Sequence, residues 1–358
     1  MNIRIGQDVK LPSELRPVKG AIDHDPFEAL KRAHAAGLDG VLFRTLYELS
    51  PTLDRGVLRE LRAEAEVLAC YIEVGVGKVN PYMTLELPEV RALGDGSYLA
   101  GMTRMIEAAA DLGWRELWSA MANYKGSLPG LLANDRYRTD VSWADQLAAT
   151  ESLLRRLAPV LRHHGAHLNL ETHEEVTTFE LLTLIEAVGE DVLGVTLDTA
   201  NVVIHAEDPL AAARRVAPHT RMTHLRDVAL FATEQGLTRY LAPCGQGVID
   251  WGELLAVLAE AGAAPNLTIE VGAGRAQPPM HAFLHDPRWL ASHPSVAPGE
   301  LAVLYRRALR YQERVQTEGL PDLAAYQAGI QETRESFVSA SAATLRAAAV
   351  AAGPVSRD

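Results

Sequence analysis

An eightfold alternation of short apolar runs with longer amphipathic stretches is the feature that most constrains this chain. The runs are NIRIG, GVLFR, EVLACYIEV, ELWSAM, HLNLE, LGVTLD, MTHLRD and LTIEVG. Between them lie helical patterns such as DPFEALKRAHAAG, SYLAGMTRMIEAAADLG and DQLAATESLLRRLAPVLRHHG, each ending in a glycine suited to a helix C-cap. Strand-helix alternation favours a parallel sheet. Eight such units within about 270 residues match a closed (β/α)8 TIM barrel better than an open doubly wound sheet. No G-x-G-x-x-G follows the first run, so a dinucleotide fold loses its main support.

After the eighth run comes AQPPMHAFLHDPRWLASHPSVAPGE, rich in Pro and His, which reads as a long ordered loop. Two further helical stretches follow, PGELAVLYRRALRYQERVQ and AYQAGIQETRESFVSASAATLRAAAVAAG. The organisation expected is a catalytic barrel over 1–295 and a C-terminal helical extension over 296–358. The extension has two readings, a buttress for the barrel's outer helices or a subunit interface.

Composition narrows the function. With 48% hydrophobic and 22% charged residues, the 358-residue chain has the balance of a globular enzyme. Its formal net charge of −12 disfavours nucleic acid and anionic membranes as partners. Cys70 and Cys244 are the only cysteines, which argues against a disulfide framework and fits a reducing compartment. The opening MNIRIGQDVK lacks a signal-peptide pattern, and no apolar run approaches the ~20 residues of a membrane span. The expectation is a soluble, cytoplasmic protein.

In a parallel barrel the catalytic face lies at the C-terminal strand ends, so polar residues that close apolar runs are the informative ones. Glu171, Asp198, His224 and Glu270 stand at the ends of, or late in, the fifth to eighth runs, which are neighbours around a barrel. Any one such acid is commonly a helix cap or half of a salt bridge. Four in succession point to one divalent metal. Three carboxylates and one imidazole suit Mn2+ best, with Mg2+, Co2+ or Zn2+ as alternatives. Glu174 and Glu175 fit instead the start of the following helix, where acids favour the macrodipole.

The segments LNLETHEE, LDTANVVIHAEDP, MTHLRD, PCGQGVIDWGELL and LTIEVG together resemble the xylose isomerase-like superfamily of sugar isomerases and epimerases. The resemblance covers most of residues 1–295, is sharpest between 165 and 272, and leaves the C-terminal helices out. It implies that Glu171, Asp198, His224 and Glu270 are metal ligands, and that Glu171 and Glu270 act as acid and base. ETHEEVTTFE followed by LDTANVV looks closest to a branch containing the large subunits of C-glycoside deglycosidases. That branch implies a lyase acting on a 3-keto sugar and a small partner subunit.

A divalent ion bound to a ketone and its neighbouring hydroxyl stabilises an enediolate, so a nearby carboxylate can remove the intervening proton. Epimerisation, isomerisation and elimination share that first half. His173, two residues past Glu171, is a candidate for acid-base work or substrate contact. Arg226 could bind substrate oxygen or pair with Asp227. Asn201 is a substrate ligand or a helix cap, His205 belongs to a lid or to solvent, and Asn123 and Tyr124 are candidate hydroxyl binders. CGQG reads best as a turn. No phosphate cradle is present, although Arg226, Arg239 and Arg275 could serve a phosphorylated substrate.

A metal-dependent sugar isomerase or epimerase is therefore the leading reading, with a lyase of the same superfamily second. A barrel that had become a binding module would be expected to lack a ligand, and none is missing. A DNA-repair endonuclease of this fold would need further histidines and a basic face. The partners expected are a small carbohydrate and either a second copy of the chain or, for a deglycosidase, a small subunit.

Overall fold

Runs buried on both faces become the parallel strands. In the computed structural model, which describes residues 3–9, 25–83, 86–125, 128–271, 279–330 and 332–351, the first seven are β1 (Ile5–Val9), β2 (Gly40–Phe43), β3 (Tyr71–Lys78), β4 (Glu116–Ala120), β5 (His167–Glu171), β6 (Leu193–Asp198) and β7 (Thr220–His224). Two strands that the sequence reading did not separate follow, β8 (Asp227–Thr233) and β9 (Gly236–Ala242), before the eighth barrel strand, β10 (Leu267–Ile269). A last strand, β11 (Met280–Phe283), completes the set.

The barrel runs β10-β1-β2-β3-β4-β5-β6-β7, all parallel where paired. A parallel bridge between Leu225 and Ile269 brings its two ends together. There Leu225 N donates to Thr268 O at 2.8 Å and Glu270 N to Leu225 O at 3.1 Å. β3 and β6 are buried along their whole length, as expected of barrel strands with helices outside and packed side chains inside. At Gly6 and Gly40 a Cβ would overlap the Tyr71 side chain, so glycine is what admits that ring between β1, β2 and β3.

The helices are α1 (Pro26–Ala35), α2 (Leu46–Leu49), α3 (Arg55–Val67), α4 (Pro88–Leu93), α5 (Tyr98–Ala110), α6 (Trp143–His164), α7 (Thr178–Val188), α8 (Pro209–Val216), α9 (Trp251–Glu260), α10 (Pro287–Ser292), α11 (Pro298–Glu318), α12 (Leu323–Ala328) and α13 (Arg334–Ala351). Local chemistry sets their ends. Asp25 accepts from Phe27 N ahead of Pro26 at the start of α1, and α6 ends at Gly165 with φ of 58°. No described helix is long and apolar enough to cross a membrane.

Three sequence expectations change. The run EVLACYIEV is strand only in its second half, because α3 continues to Val67, a turn follows, and the strand begins at Tyr71. The long loop after the eighth strand contains β11 and α10, and β11 joins β9 and β8 in a three-stranded antiparallel sheet of order β11-β9-β8. The last helical stretch is two helices, since it breaks at Gly329, whose φ is 89°.

The C-terminal helices have separate tasks. Tyr311 on α11 and Tyr326 on α12 close a small aromatic core with Phe231 and Tyr240 of the antiparallel sheet, with Phe231 edge-on to Tyr311 at 5.3 Å and Tyr240 stacked on Tyr326 at 4.8 Å. Phe337 and Leu345 of α13 are buried in the main core that also holds the barrel strands.

A candidate metal centre at the strand ends

Because side chains alternate along a strand, every second residue of a barrel strand enters the lumen. Asn169 and Glu171 on β5, Thr196 and Asp198 on β6, and Met222 and His224 on β7 share that phase. Register does the rest: Glu171 stands beside Thr196, Asp198 beside His224, and Glu270 follows the Leu225–Ile269 bridge. One potential ligand atom from each of Glu171, Asp198, His224 and Glu270 lies within 4.8 Å of the other three, and all four residues are buried. His224 Nδ1 is 3.3 Å from Glu171 Oε2 and 3.7 Å from Glu270 Oε2.

This donor set fits a divalent cation. The Nε2 of His224 is buried and makes no hydrogen bond among the described residues, and its Nδ1 meets only the Glu171 and Glu270 carboxylates, which is costly for an imidazole with no further role. Burial, opposed by Arg226 and reinforced by Glu270 and Glu171, pushes the Asp198 carboxyl up to about 7. Crowded carboxylates of this kind are what a cation relieves.

Basic and aromatic side chains hold the acids in place. Arg44, at the end of β2, donates through Nη2 to Asp8 Oδ2 and to Glu270 Oε1, both at 2.6 Å. Arg226 Nη2 reaches Asp198 Oδ2 at 2.5 Å and Glu270 Oε2 at 3.0 Å. Trp118 Nε1 donates to Glu171 Oε2 at 2.9 Å. Lys78, at the end of β3, lies 5.0 Å over the Trp118 ring, and burial pulls its ammonium down to about 8.

The other residues marked in the sequence fall in several places. His173 is buried, with Nδ1 2.5 Å from Glu175 Oε2 and 2.8 Å from Glu174 Oε2. Burial disfavours its charged form, but Glu174 and Glu175 outweigh that and raise it to about 10. The helix-start reading of those two acids is corrected, because α7 begins three residues past Glu175 with its own capping box of Thr177 and Glu180. Glu175 instead accepts from Ala122 N at 2.6 Å.

Asn201 is not a side-chain cap. Its Nδ2 donates to Asp198 Oδ2 at 3.0 Å, and its Oδ1 accepts from Arg226 at 3.2 Å and Arg239 at 2.8 Å. The suggested Arg226–Asp227 pair is also corrected. Asp227 turns the other way and accepts from Gly245 N, Ile249 N and Trp251 Nε1, holding the CGQG turn as a turn.

His205 is buried rather than solvent-facing. It forms part of the wall of a cavity of about 300 Å³ whose lining includes Tyr124, Glu174, Met280 and His293. Its Nδ1 lies 2.8 Å from His293 Nε2, and burial with Arg136 nearby depresses it to about 3. Tyr124, rather than its half-buried neighbour Asn123, lines this cavity. Arg275 lies outside the described residues. Sequence reasoning missed Asp8, Arg44, Lys78 and Trp118. The same criterion of polar residues closing apolar runs, applied to the first three strands, would have found Arg44 and Lys78.

A barrel with three carboxylates and a histidine gathered over strands five to eight belongs to a recognised class. The family model of the xylose isomerase-like TIM barrel matches residues 30–293, and the chain belongs to that family. Among characterised relatives, the 3-oxo-isoapionate decarboxylase of Pectobacterium atrosepticum is 31% identical over 106 residues, which is 29% of this chain and 38% of that enzyme. Among solved structures, the 3-keto-D-glucoside 4-epimerase of Escherichia coli superposes with a TM-score of 0.55 at 16% identity, covering 85% of this chain and 100% of the other. A xylose isomerase-like barrel from Mycobacterium smegmatis, solved with magnesium, gives 0.56 at 15% identity, covering 86% and 98%. At these identities the structural likeness speaks for the fold.

Proposed function

We propose that the protein is a divalent-metal-dependent enzyme that removes a proton next to the carbonyl of a sugar or keto-sugar, with epimerisation or isomerisation as the outcome. The observation that carries this is the buried convergence of Glu171, Asp198, His224 and Glu270. Those four side chains would hold the ion, with Mn2+ favoured by the oxygen-dominated set. When bound, the ion supplies positive charge next to the carbonyl oxygen on which negative charge develops.

The chain's own groups do the remainder. Glu171 and Glu270 flank His224 and are the acid-base pair. Arg44 and Arg226 fix the Glu270 carboxylate from two sides, and the Trp118 N–H fixes Glu171. Asn201 and Arg226 offer N–H groups to substrate oxygens. His173, kept cationic by Glu174 and Glu175, is a hydrogen-bond donor or proton source at the edge of the site. Burial excludes water, which strengthens each of these contacts.

A lyase reading is favoured by one observation, the 31% identity to a decarboxylase. Both readings are tested together. Purified Mn2+-loaded protein is incubated in D2O with ketoses, 3-keto glycosides and keto sugar acids, and deuterium incorporation and products are read by NMR. Exchange with an epimer or isomer as product supports the first reading, and carbon dioxide or a released aglycone supports the second. Absence of exchange and of products with every class would overturn both.

A further inference from the structure

The side chain of Arg239 is 2% exposed and has no carboxylate within hydrogen-bond distance among the described residues. Its Nη2 donates to Asn201 Oδ1 at 2.8 Å and lies 2.9 Å from Met280 Sδ, both neutral acceptors. Glu174 Oε1 is 3.9 Å away, and the buried Nε makes no hydrogen bond. The other buried cations near the site are compensated: Arg44 by Asp8 and Glu270, Arg226 by Asp198 and Glu270, and Lys78 by the face of Trp118. A guanidinium withdrawn from water with only a distant carboxylate at 3.9 Å and no charged hydrogen-bond partner is undercompensated, so this position favours a negative group that arrives with a ligand.

Its location suits that role. Arg239 belongs to β9 of the antiparallel sheet, in register with Met280 on β11, outside the barrel itself. Met280 and Glu174, which flank it, both line the 300 Å³ cavity. Asn201 links it to the metal-ligand cluster by accepting from Arg239 and donating to Asp198. An anion on Arg239 would thus sit one side chain away from the four candidate ligands, a span that a small polyol can bridge.

We propose that the substrate is a sugar acid and that Arg239 binds its carboxylate. This rests on the proton-abstraction reading above and specifies its substrate class. A carboxylate is favoured over a phosphate ester because a single guanidinium whose Nε is unpaired matches a monoanion. A phosphate dianion would call for a second uncommitted cation or a backbone cradle.

Calorimetric titration of the Mn2+-loaded full chain tests this with probes that differ in one group: D-gluconate, D-glucitol and D-glucose 6-phosphate. Gluconate is expected to bind on the order of 30-fold more tightly than glucitol, the range of a charged hydrogen bond. Arg239→Gln, which still donates to Asn201, is expected to reduce gluconate to the level of glucitol while elemental analysis finds unchanged manganese. Arg239→Lys guards against misfolding of the first variant and is expected to keep a preference for gluconate. The proposal is overturned if gluconate and glucitol bind equally or neither binds, if the phosphate ester binds best, or if Arg239→Gln leaves gluconate affinity intact. Failure of the underlying enzyme reading would show separately, as absence of bound metal or of solvent exchange with any carbonyl sugar.

Discussion

Arg44 donates to Glu270 at 2.6 Å across 226 positions of sequence, tying the end of the second barrel strand to the residue that follows the eighth. The same guanidinium holds Asp8 through both Nε, at 3.0 Å, and Nη2. A planar fork can serve two carboxylates in this way and a point charge cannot. We therefore expect Arg44→Lys to fall nearly as far as Arg44→Met, each losing about 100-fold in kcat/KM with metal content preserved. Steady-state kinetics beside elemental analysis checks this, and a Lys variant within threefold of wild type would remove the positioning role.

Glu270→Gln is expected to retain the fold and lose turnover by about 1000-fold, because an amide keeps the shape of the side chain but accepts no proton. The informative measurement is solvent deuterium exchange into substrate at matched manganese content. Exchange near the wild-type rate would assign the base elsewhere, Glu171 being the alternative.

Metal removal has a sign that follows from linkage. An ion bound by the folded cluster but not by the unfolded chain stabilises by about 3 kcal/mol at a hundredfold excess over its dissociation constant. Chelation should therefore lower Tm, and added Mn2+ should restore it. Asp198→Asn and His224→Ala should lose this metal-dependent shift. A shift that survives both substitutions would place the ion outside the cluster.

How much of this was legible from sequence depended on which physical pattern carried it. Barrel strands are apolar on both faces, so LGVTLD and HLNLE announced themselves, and the acids that close them stood out against that background. The antiparallel sheet was hidden because Leu225 and Arg226 lead straight from β7 into β8, leaving no turn residue to separate MTHLRD from the strand that follows. Glu174 and Glu175 were misplaced because a helix start and a site loop present the same acidic run, and only the position of the Thr177–Glu180 capping box decides between them. Arg239 could be named as a cation, but its lack of a contact carboxylate depends on three-dimensional neighbours that no spacing reveals.

Glu73 gives the protein a pH signature. Burial pushes its carboxyl from the ordinary 4.5 up to about 7, against hydrogen bonds from Asn266 at 2.9 Å and Thr268 at 2.8 Å. The folded value lies above the unfolded one, so the native state binds more protons between them. The contribution of this group is complete below about pH 4.5 and is lost as pH rises through about 7, a change on the order of 3 kcal/mol. Urea unfolding from pH 5 to pH 8 should show wild type losing stability relative to Glu73→Gln. Parallel curves would mean that Glu73 is ionised in the fold throughout.

The last helix supports the barrel directly. Arg334 at the start of α13 donates to the Asp8 carbonyl, Ser341 Oγ accepts from Cys244 N at 3.0 Å, and Phe337 and Leu345 are 1% and 0% exposed. α13 thereby joins the end of β1 to the turn that Asp227 organises, which favours the buttress reading of the extension. Leu345→Ala and Phe337→Ala should each cost about 3 kcal/mol in urea unfolding, the usual range for a large side chain removed from a closed core. Deleting 334–358 should leave a chain that unfolds at or near room temperature, since that loss is a large part of a typical folding free energy. Assembly is a separate question with a separate readout. We expect a C2 homodimer by light scattering, the commonest closed form, and Leu345→Ala should lower stability without changing that mass. A variant that dissociates without loss of monomer stability would instead put α13 at the subunit interface.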